Sequence, residues 1–476
     1  MNACLRHALV PGFILFFTSC ATGPDYKRPE VELPTSKSAE AKEIAAEWWK
    51  AFGDPQLPVL VEEALHYNQD LALALARLDE ARALAGVAKS AYFPTLDLGA
   101  QFGESQLSQV GSTPLLGSAR TVKTNQVGIV ANYELDLWGK LRRSNEAARA
   151  RLLEADYNRL NVQLQITSQV ATSYIRLRAL DAQLQISRKT YQSRIDSNDL
   201  INKRFKGGVA SELDARQAEA EMWQTKAQVS TYEEAVVRLE SSLMVLLGRS
   251  PKAIIESPLA RGKNLTELMA PPSLPEHLPS QMLERRPDIL AAEQALVAEN
   301  ARIGVAKSYY FPSISLFGGI GTDARDIDNL FKGNAGTWNY GVSLFMPIFT
   351  AGRTGYLVEA TTAQQKQALT SYQKSIQIAF TEVRDATVSF QKQGDLVTSR
   401  NAEVFALERN VYLANLRYRN GQSPYLEVLD AERRLFVSEL NKVSAQEGLL
   451  VSVIDMYKAL GGGWASSTKE QNVSSQ

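Results

Sequence analysis

The chain is written twice. Asp70-Leu71 through Gly86-Val87-Ala88-Lys89-Ser90 and Tyr92-Phe93-Pro94 returns as Asp288-Ile289 through Gly304-Val305-Ala306-Lys307-Ser308 and Tyr310-Phe311-Pro312, at an offset of 218. Further on, Arg204-Phe205-Lys206-Gly207-Gly208, with Leu213-Asp214 and Ala218-Glu219, returns as Arg417-Tyr418-Arg419-Asn420-Gly421, with Leu426-Glu427 and Ala431-Glu432, at an offset of 213. A unit repeated at fixed spacing is built to pack on its own copy, which excludes most single-core folds. The change of five in the offset falls in a Gly/Ser/Thr-rich stretch near 103–124, longer than its partner near 321–337, so one loop insertion accounts for it.

Proline marks where each unit is helical, because inside a helix it costs about 3 kcal/mol. None occurs between Pro114 and Pro251, and only Pro424 lies between Pro347 and the C-terminus. Both stretches are rich in Ala, Leu, Gln, Glu, Lys and Arg, and each has one breaker, Gly207-Gly208 or Asn420-Gly421 to Pro424, at matching positions. Each half therefore reads as a helix of about 65 residues, a tight turn and a returning helix of about 35, the longer reaching roughly 100 Å. Helices of that length are expected as antiparallel coiled coils.

Strands precede the long helices. Leu96, Leu98, Ala100 and Phe102 alternate with Thr95, Asp97, Gly99 and Gln101. The period of two continues through Val127, Ile129, Ala131, Tyr133 and Leu135, through Ile314, Leu316, Gly318 and Ile320, and through Trp338, Tyr340, Val342, Leu344 and Met346. Four strands cannot close a barrel, so the pattern predicts strands pooled from several subunits, with Asp97, Gln101, Asn132, Glu134 and Asp136 facing the lumen and Trp338, Tyr340 and Tyr133 suited to an aromatic girdle. A mean hydropathy of −0.21 leaves room for this and none for a helical membrane bundle, since no apolar run beyond the N-terminus approaches the roughly 18 residues a spanning helix needs.

Lys and Arg together equal Asp and Glu, 52 against 52, which argues against a nucleic-acid partner. Both cysteines, Cys4 and Cys20, lie at the N-terminus, where Arg6, an apolar stretch Leu9 to Phe17 and Thr18-Ser19-Cys20 read as a secretory leader. Small residues before Cys20 resemble a bacterial lipoprotein box, with Phe17 in place of the usual Leu; Ala21 after the cysteine implies sorting to the outer membrane.

Cys20-Ala21-Thr22-Gly23-Pro24-Asp25-Tyr26-Lys27-Arg28-Pro29, Trp48-Trp49-Lys50-Ala51-Phe52-Gly53-Asp54-Pro55-Gln56-Leu57, Ala64-Leu65 through Asn68-Gln69-Asp70-Leu71, Arg285-Arg286-Pro287-Asp288-Ile289 and Leu426-Glu427-Val428-Leu429-Asp430-Ala431-Glu432 closely resemble the lipoprotein branch of the TolC-like outer-membrane factors, the NodT/OprM type. The resemblance spans essentially the whole mature chain. It implies an α+β membrane protein: a homotrimer whose subunits each give four strands to a shared twelve-stranded outer-membrane β-barrel, continued by a long periplasmic α-helical coiled-coil barrel. It also implies outer-membrane lipid around the barrel, and a periplasmic adaptor (membrane fusion protein) and an inner-membrane RND-type transporter as partners. By the same resemblance Glu427 and Asp430, i,i+3 neighbours on one helix face, correspond to acidic residues at the periplasmic entrance, with Leu426 beside them as an apolar constriction. Tyr418 and Asp214 stand at matching positions near the gate. Ser423 replaces an arginine of the best-known member, so fewer inter-helix charge contacts are expected there. Gly208 and Gly421 stand at the turns that face the adaptor.

Three histidines, of which His7 leaves with the leader, offer no zinc motif, and neither a phosphate-cradling Gly-x-x-x-x-Gly-Lys-Ser/Thr loop nor a nucleophile elbow occurs. The expectation is a passive efflux duct with no catalytic residue, metal or cofactor; an exit duct for a type I protein exporter and a pore-free coiled-coil scaffold lipoprotein are the alternatives. The expected divisions are a leader over 1–19, a lipidated segment over 20–60, a first repeat over 61–250 with its hairpin at about 94–136, and a Pro-rich linker over 251–280. A second repeat over 281–464 with its hairpin at about 312–349 and a disordered tail over 465–476 follow.

Overall fold

A computed structural model describes residues 21–31, 47–108, 121–269 and 285–462. The leader, Cys20 and the 465–476 tail lie outside the described residues, as do parts of the 20–60 segment, of the 251–280 linker and of the 103–124 loop.

The duplication is carried into the structure, with the second strand of each hairpin differing in length. Helix α1 (Gln56–Tyr67) leads into α2 (Gln69–Ser90), strands β1 (Thr95–Gln106) and β2 (Thr121–Leu135), and helices α3 (Lys140–Lys206) and α4 (Glu212–Leu246). After the short α5 (Pro251–Glu256) come α6 (Pro287–Ser308), β3 (Ser313–Ala324), β4 (Gly336–Phe345), α7 (Arg353–Arg419) and α8 (Tyr425–Ala459). Moving α2 and β1 forward by 218 gives the bounds of α6 and β3, and moving α3 and α4 by 213 gives those of α7 and α8. The long helices are 67 residues each and the returning ones 35. None of the described helices is long and apolar enough to cross a membrane.

The described parts of the chain fall into two compact units. One comprises the described residues within Met1–Pro29, Asp79–Leu153 and Glu293–Ser371, and the other those within Glu30–Leu78, Glu154–Ala292 and Tyr372–Gln476.

The first unit holds one antiparallel sheet in the order β1-β2-β3-β4. Opposite residues of an antiparallel pair share a face. The register sets Leu98 against Ile129, Ile129 against Ile320 and Ile320 against Trp338, so the apolar sets of all four strands lie on one side. Asp97, Gln101, Asn132 and Glu134 lie on the other, with Ser315, Asn339 and Ser343. Asp136 corrects the expectation of a lumen-facing row. It lies beyond the end of β2, and its carboxylate accepts from the backbone N–H groups of Leu141 and Arg142 at 3.0 Å each, serving the start of α3 instead. On this polar side Gly128 and Gly321 stand opposite each other so closely that a Cβ on Gly321 would lie 2.8 Å from Gly128 Cα. β1 and β4 are the sheet edges, and β1 is exposed along its whole length.

A strap, residues 21–29, is tied to the same unit. Thr22 donates from its backbone N–H to the Trp138 carbonyl (2.9 Å) and from its hydroxyl to the Gly304 carbonyl (3.0 Å), while Asn300 donates to the Pro24 carbonyl (2.9 Å). The buried Arg143 guanidinium reaches Asp25 (2.5 Å) and Glu146 (2.8 Å), and Arg28 pairs with Glu293. Gly304 makes room for this, since a Cβ there would lie 2.5 Å from the Thr22 carbonyl oxygen.

The second unit has its main core where Trp48, Phe52, Leu57 and Leu60 pack with Tyr174 and Leu177 of α3, Leu243 of α4 and Val453 of α8. The buried Asp54 fastens that core. One oxygen accepts from the N–H groups of Gln56 and Leu57 (2.6 and 3.1 Å), the other from the Tyr174 hydroxyl and the Lys263 N–H (3.0 and 2.9 Å). Burial and the facing Asp54 charge raise the Tyr174 phenol far above its ordinary value, so it stays a neutral donor.

Candidate functional site: the helical-hairpin tips

Both long helices end where a residue must turn left-handed. Gly208 (φ 75°) and Gly421 (φ 69°) take that conformation, and a Cβ at either would meet no atom within 4 Å. Backbone conformation rather than crowding requires glycine at the two turns. The C-terminal carbonyls are closed by Val209 N–H to Arg204 O (2.8 Å) and, in the twin turn, by Gln422 N–H to Arg417 O (2.9 Å).

The returning helices start differently. At α4, Ser211 and Asp214 form a reciprocal cap: the Ser211 hydroxyl accepts from Asp214 N–H (3.1 Å), and the Asp214 carboxylate accepts from Ser211 N–H (3.2 Å). At α8, Pro424 takes the cap position and Tyr425 is buried behind it, with its hydroxyl unpartnered among the described residues. Burial, with Glu432 nearby, pushes that phenol up to about 12.

Around Tyr425, Val428, Leu429 and Ala431 of α8 pack with Ile201 of α3, Ala215 and Ala218 of α4 and Ala414 of α7, so both hairpins share a small apolar core near their tips. The remaining face of α8 carries Leu426, Glu427 and Asp430, all exposed. Glu427 lies 3.6 Å from Arg417 of α7, and Asp430 lies 2.9 Å from Arg434 one turn on. Tyr418 accepts a hydrogen bond from the Arg204 guanidinium (3.0 Å), which also lies over its ring. Of the expected gate residues, the structure thus brings Leu426, Glu427 and Asp430 to one face and ties Tyr418 to α3, while Asp214 is engaged at its own helix start.

Two ion pairs were not legible in the sequence. Arg194 of α3 pairs with Glu432 of α8, and Glu221 of α4 pairs with Arg433 of α8. Adjacent residues on α8 therefore grip the two helices of the other hairpin. The Ser423 hydroxyl is buried without a partner among the described residues, and the charged contacts between the hairpins near their tips are these pairs and Arg204–Tyr418. The run Glu432-Arg433-Arg434 was the available signal, since three consecutive charges on a helix point roughly 100° apart and cannot all face solvent on a packed helix. Among the described residues no group of three or more His, Cys, Asp or Glu is placed to hold a metal ion.

Comparison with known proteins agrees with this architecture. The sequence profile of the family described as Outer membrane efflux protein matches residues 60–249 and 278–462. The cation efflux system protein CusC of Escherichia coli O6:H1 is 33% identical over 458 residues, covering 94% of this chain and 97% of that protein. The solvent efflux pump outer membrane protein SrpC of Pseudomonas putida is 33% identical over 465 residues, covering 95% and 97%. The crystal structure of the Campylobacter jejuni CmeC outer membrane channel superposes with a TM-score of 0.87 at 25% identity, covering 94% of this chain and 96% of that one. The chain belongs to the outer membrane efflux protein family, and its open-edged sheet and paired helical hairpins are the parts of an outer-membrane efflux channel.

Proposed function

We propose that three copies of the chain form the exit duct of a tripartite efflux pump, passive in itself, with a periplasmic adaptor and an inner-membrane RND-type transporter supplying cargo and energy. The observation that carries the reading is a four-stranded sheet with both edges unpaired and one face apolar and exposed. A sheet in lipid must satisfy every edge, and twelve strands from three copies close a barrel that four cannot. Helix α2 supports the same reading. It buries Leu71, Ala74 and Leu78 but exposes Leu73, Leu84 and Val87, whereas its twin α6 buries Ile289, Leu296, Ala298, Ala301 and Ile303, so α2 has a face left for a neighbour.

Around a threefold axis Leu426, Glu427 and Asp430 would form stacked rings at the periplasmic entrance, where rings of carboxylates select among ions. Gly208 and Gly421 would present the turns to the adaptor. The chain fits the lipoprotein branch, with residues 1–19 removed and Cys20 lipidated. Support comes from Ala21, which packs against Gly139 just past the end of β2: a Cβ on Gly139 would lie 2.9 Å from Ala21 Cα. Ala21 thus lies at the strand-to-helix junction after β2, one residue past the proposed lipidation site, and each acyl CH₂ inserted in lipid contributes about 0.8 kcal/mol. Cargo is not set by likeness, since the cation and solvent efflux relatives are equally identical to this chain.

Outer-membrane fractions are expected to hold the protein as a heat-modifiable trimer. In planar bilayers the Glu427→Ala, Asp430→Ala double variant is expected to raise conductance or alter cation selectivity, and single-channel behaviour identical to wild type refutes the gate.

A further inference from the structure

We propose that β4 of one copy pairs antiparallel with β1 of a second copy in the register carried over by the duplication from β2 and β3, with Leu344 opposite Ala100 and Gly341 opposite Gly103. This rests on the assembly of copies proposed above and specifies the seam between them.

The duplication preserves register inside the chain. Residue numbers of every β1–β2 pair total 227 and those of every β3–β4 pair total 658, a difference of 431 that equals the two repeat offsets, 218 and 213, taken together. The second hairpin is therefore the first carried across without slippage. β2–β3 pairs total 449, and moving β2 forward by 213 to β4 and β3 back by 218 to β1 gives seam pairs that total 444.

Three independent features agree with that number. Parity comes first: 444 sets Trp338, Tyr340, Val342 and Leu344 on the side of Phe102, Ala100, Leu98 and Leu96, so the apolar face continues across the seam, and a slip of one residue would reverse it. Next is the close glycine pair. Gly128 opposite Gly321 within the chain becomes Gly341 opposite Gly103 at the seam, so glycine is kept at both twin positions. Nothing inside one copy requires glycine at 103, since a Cβ there would meet no atom within 4 Å and its φ is unremarkable for an L residue. The third is the strand end. β2 pairs with β3 down to Leu135 opposite Ile314, whose twin is Ile348 opposite Leu96, three residues beyond the end of β4 in a single copy. There Ile348 and Phe349 are 98% and 88% exposed, and Leu96 and Phe93 on the facing margin are 72% and 63% exposed. Within the chain this corner is filled by Trp138, stacked on Phe311 at 4.8 Å and donating to the Pro312 carbonyl (2.7 Å); the twin of Trp138 is Ala351, so the seam is closed by aliphatic and phenyl side chains without the indole.

The test is disulfide crosslinking of full-length protein in outer membranes. Ser343→Cys with Gln101→Cys, the twins of Val130 and Gly319, is compared with Ser343→Cys paired with Gly99→Cys or Gly103→Cys; wild type and the single variants control for Cys20. Opposed positions bring Cβ atoms within about 5.5 Å and diagonal ones leave them at about 7–8 Å, so the first pair is expected to give reducible dimers and trimers on the order of tenfold more than the shifted pairs. A stronger crosslink in either shifted pair overturns the register while leaving the trimer standing. An amine-reactive ladder in every variant with no disulfide in any pair overturns the seam, and no ladder even in wild type overturns the assembly beneath it. As a second variant, Gly103→Val is expected to lower the temperature at which the detergent-resistant trimer dissociates, while Gly333→Val, also open in a single copy, leaves it unchanged; equal behaviour of the two refutes the glycine contact.

Discussion

Removing the Glu432 carboxylate isolates the contribution of the hairpin-to-hairpin grip. The Arg194 side chain is 4% exposed and Glu432 19%, so Glu432→Ala leaves a guanidinium buried whose Nε already lacks a partner among the described residues. Breaking a buried ion pair from one side costs about 3–5 kcal/mol, and the residual exposure of Glu432 points to the low end, about 3 kcal/mol. At 1.4 kcal/mol per decade this is roughly a hundredfold shift in the opening equilibrium. The pair joins α3 to α8 near the tip, so the loss should emerge as local opening. Hydrogen exchange should therefore accelerate by about two orders of magnitude over residues 194–206 and 425–434, with amides around Leu243 and Val453 unchanged. Glu427→Ala is the internal reference: its 3.6 Å pair with Arg417 is exposed, and such pairs contribute about 0–1 kcal/mol, a change of about fivefold at most. Replacing both buried charges, Arg194→Met with Glu432→Leu, should restore slow exchange, because the cost lies in the orphaned charge. Exchange in Glu432→Ala no faster than in Glu427→Ala refutes the reasoning.

Gly262→Ala should destabilise the core around Asp54, because its Cβ would lie 2.3 Å from an Asp54 carboxylate oxygen; Asp54→Ala should cost about 1–3 kcal/mol by orphaning the Tyr174 hydroxyl and the Lys263 N–H, and an unchanged melting temperature for both variants refutes the fastening role. Burial raises the Glu447 carboxyl above its ordinary 4.5, with Arg176 opposing. The folded chain therefore holds that proton more tightly than the unfolded one, and the stabilisation is complete below the ordinary value and lost as pH rises through the folded one. Glu447→Gln should raise the melting temperature at pH 7 and lose that advantage near pH 4; the same shift at both values refutes it.

The element bounds were legible because they follow local rules. Proline-free stretches ending at Gly207-Gly208 and Asn420-Gly421 give α3 and α7, and period-two alternation gives the strands and their faces. Asp136 was misplaced because alternation was extended past Leu135, where the demand of α3 for acceptors at its first N–H groups takes over. The grip at Arg194, Glu221, Glu432 and Arg433 was hidden for another reason. It depends on the axial rotation of helices more than 200 residues apart in sequence, and the twin of Glu432, Glu219, pairs instead with nearby Arg216 on an exposed face. Duplication locates equivalent positions without making them equivalent in role.

The strap shows how far the two halves have grown apart. Its partners Glu293, Asn300, Gly304 and Arg143 have as counterparts Leu75, Arg82, Gly86 and Tyr356, and only the glycine survives. No atom approaches the place of a Cβ on Gly86, whereas Gly304 is closed over by the strap. The order of the halves is thus written into the protein. A chain with its repeats exchanged would keep every helix and strand, yet offer its N-terminal segment a groove in which leucine, arginine and tyrosine stand where Glu293, Asn300 and Arg143 receive it. A repeat that began as interchangeable has become addressed: one half is closed over by the N-terminal strap, and the other leaves the matching glycine open.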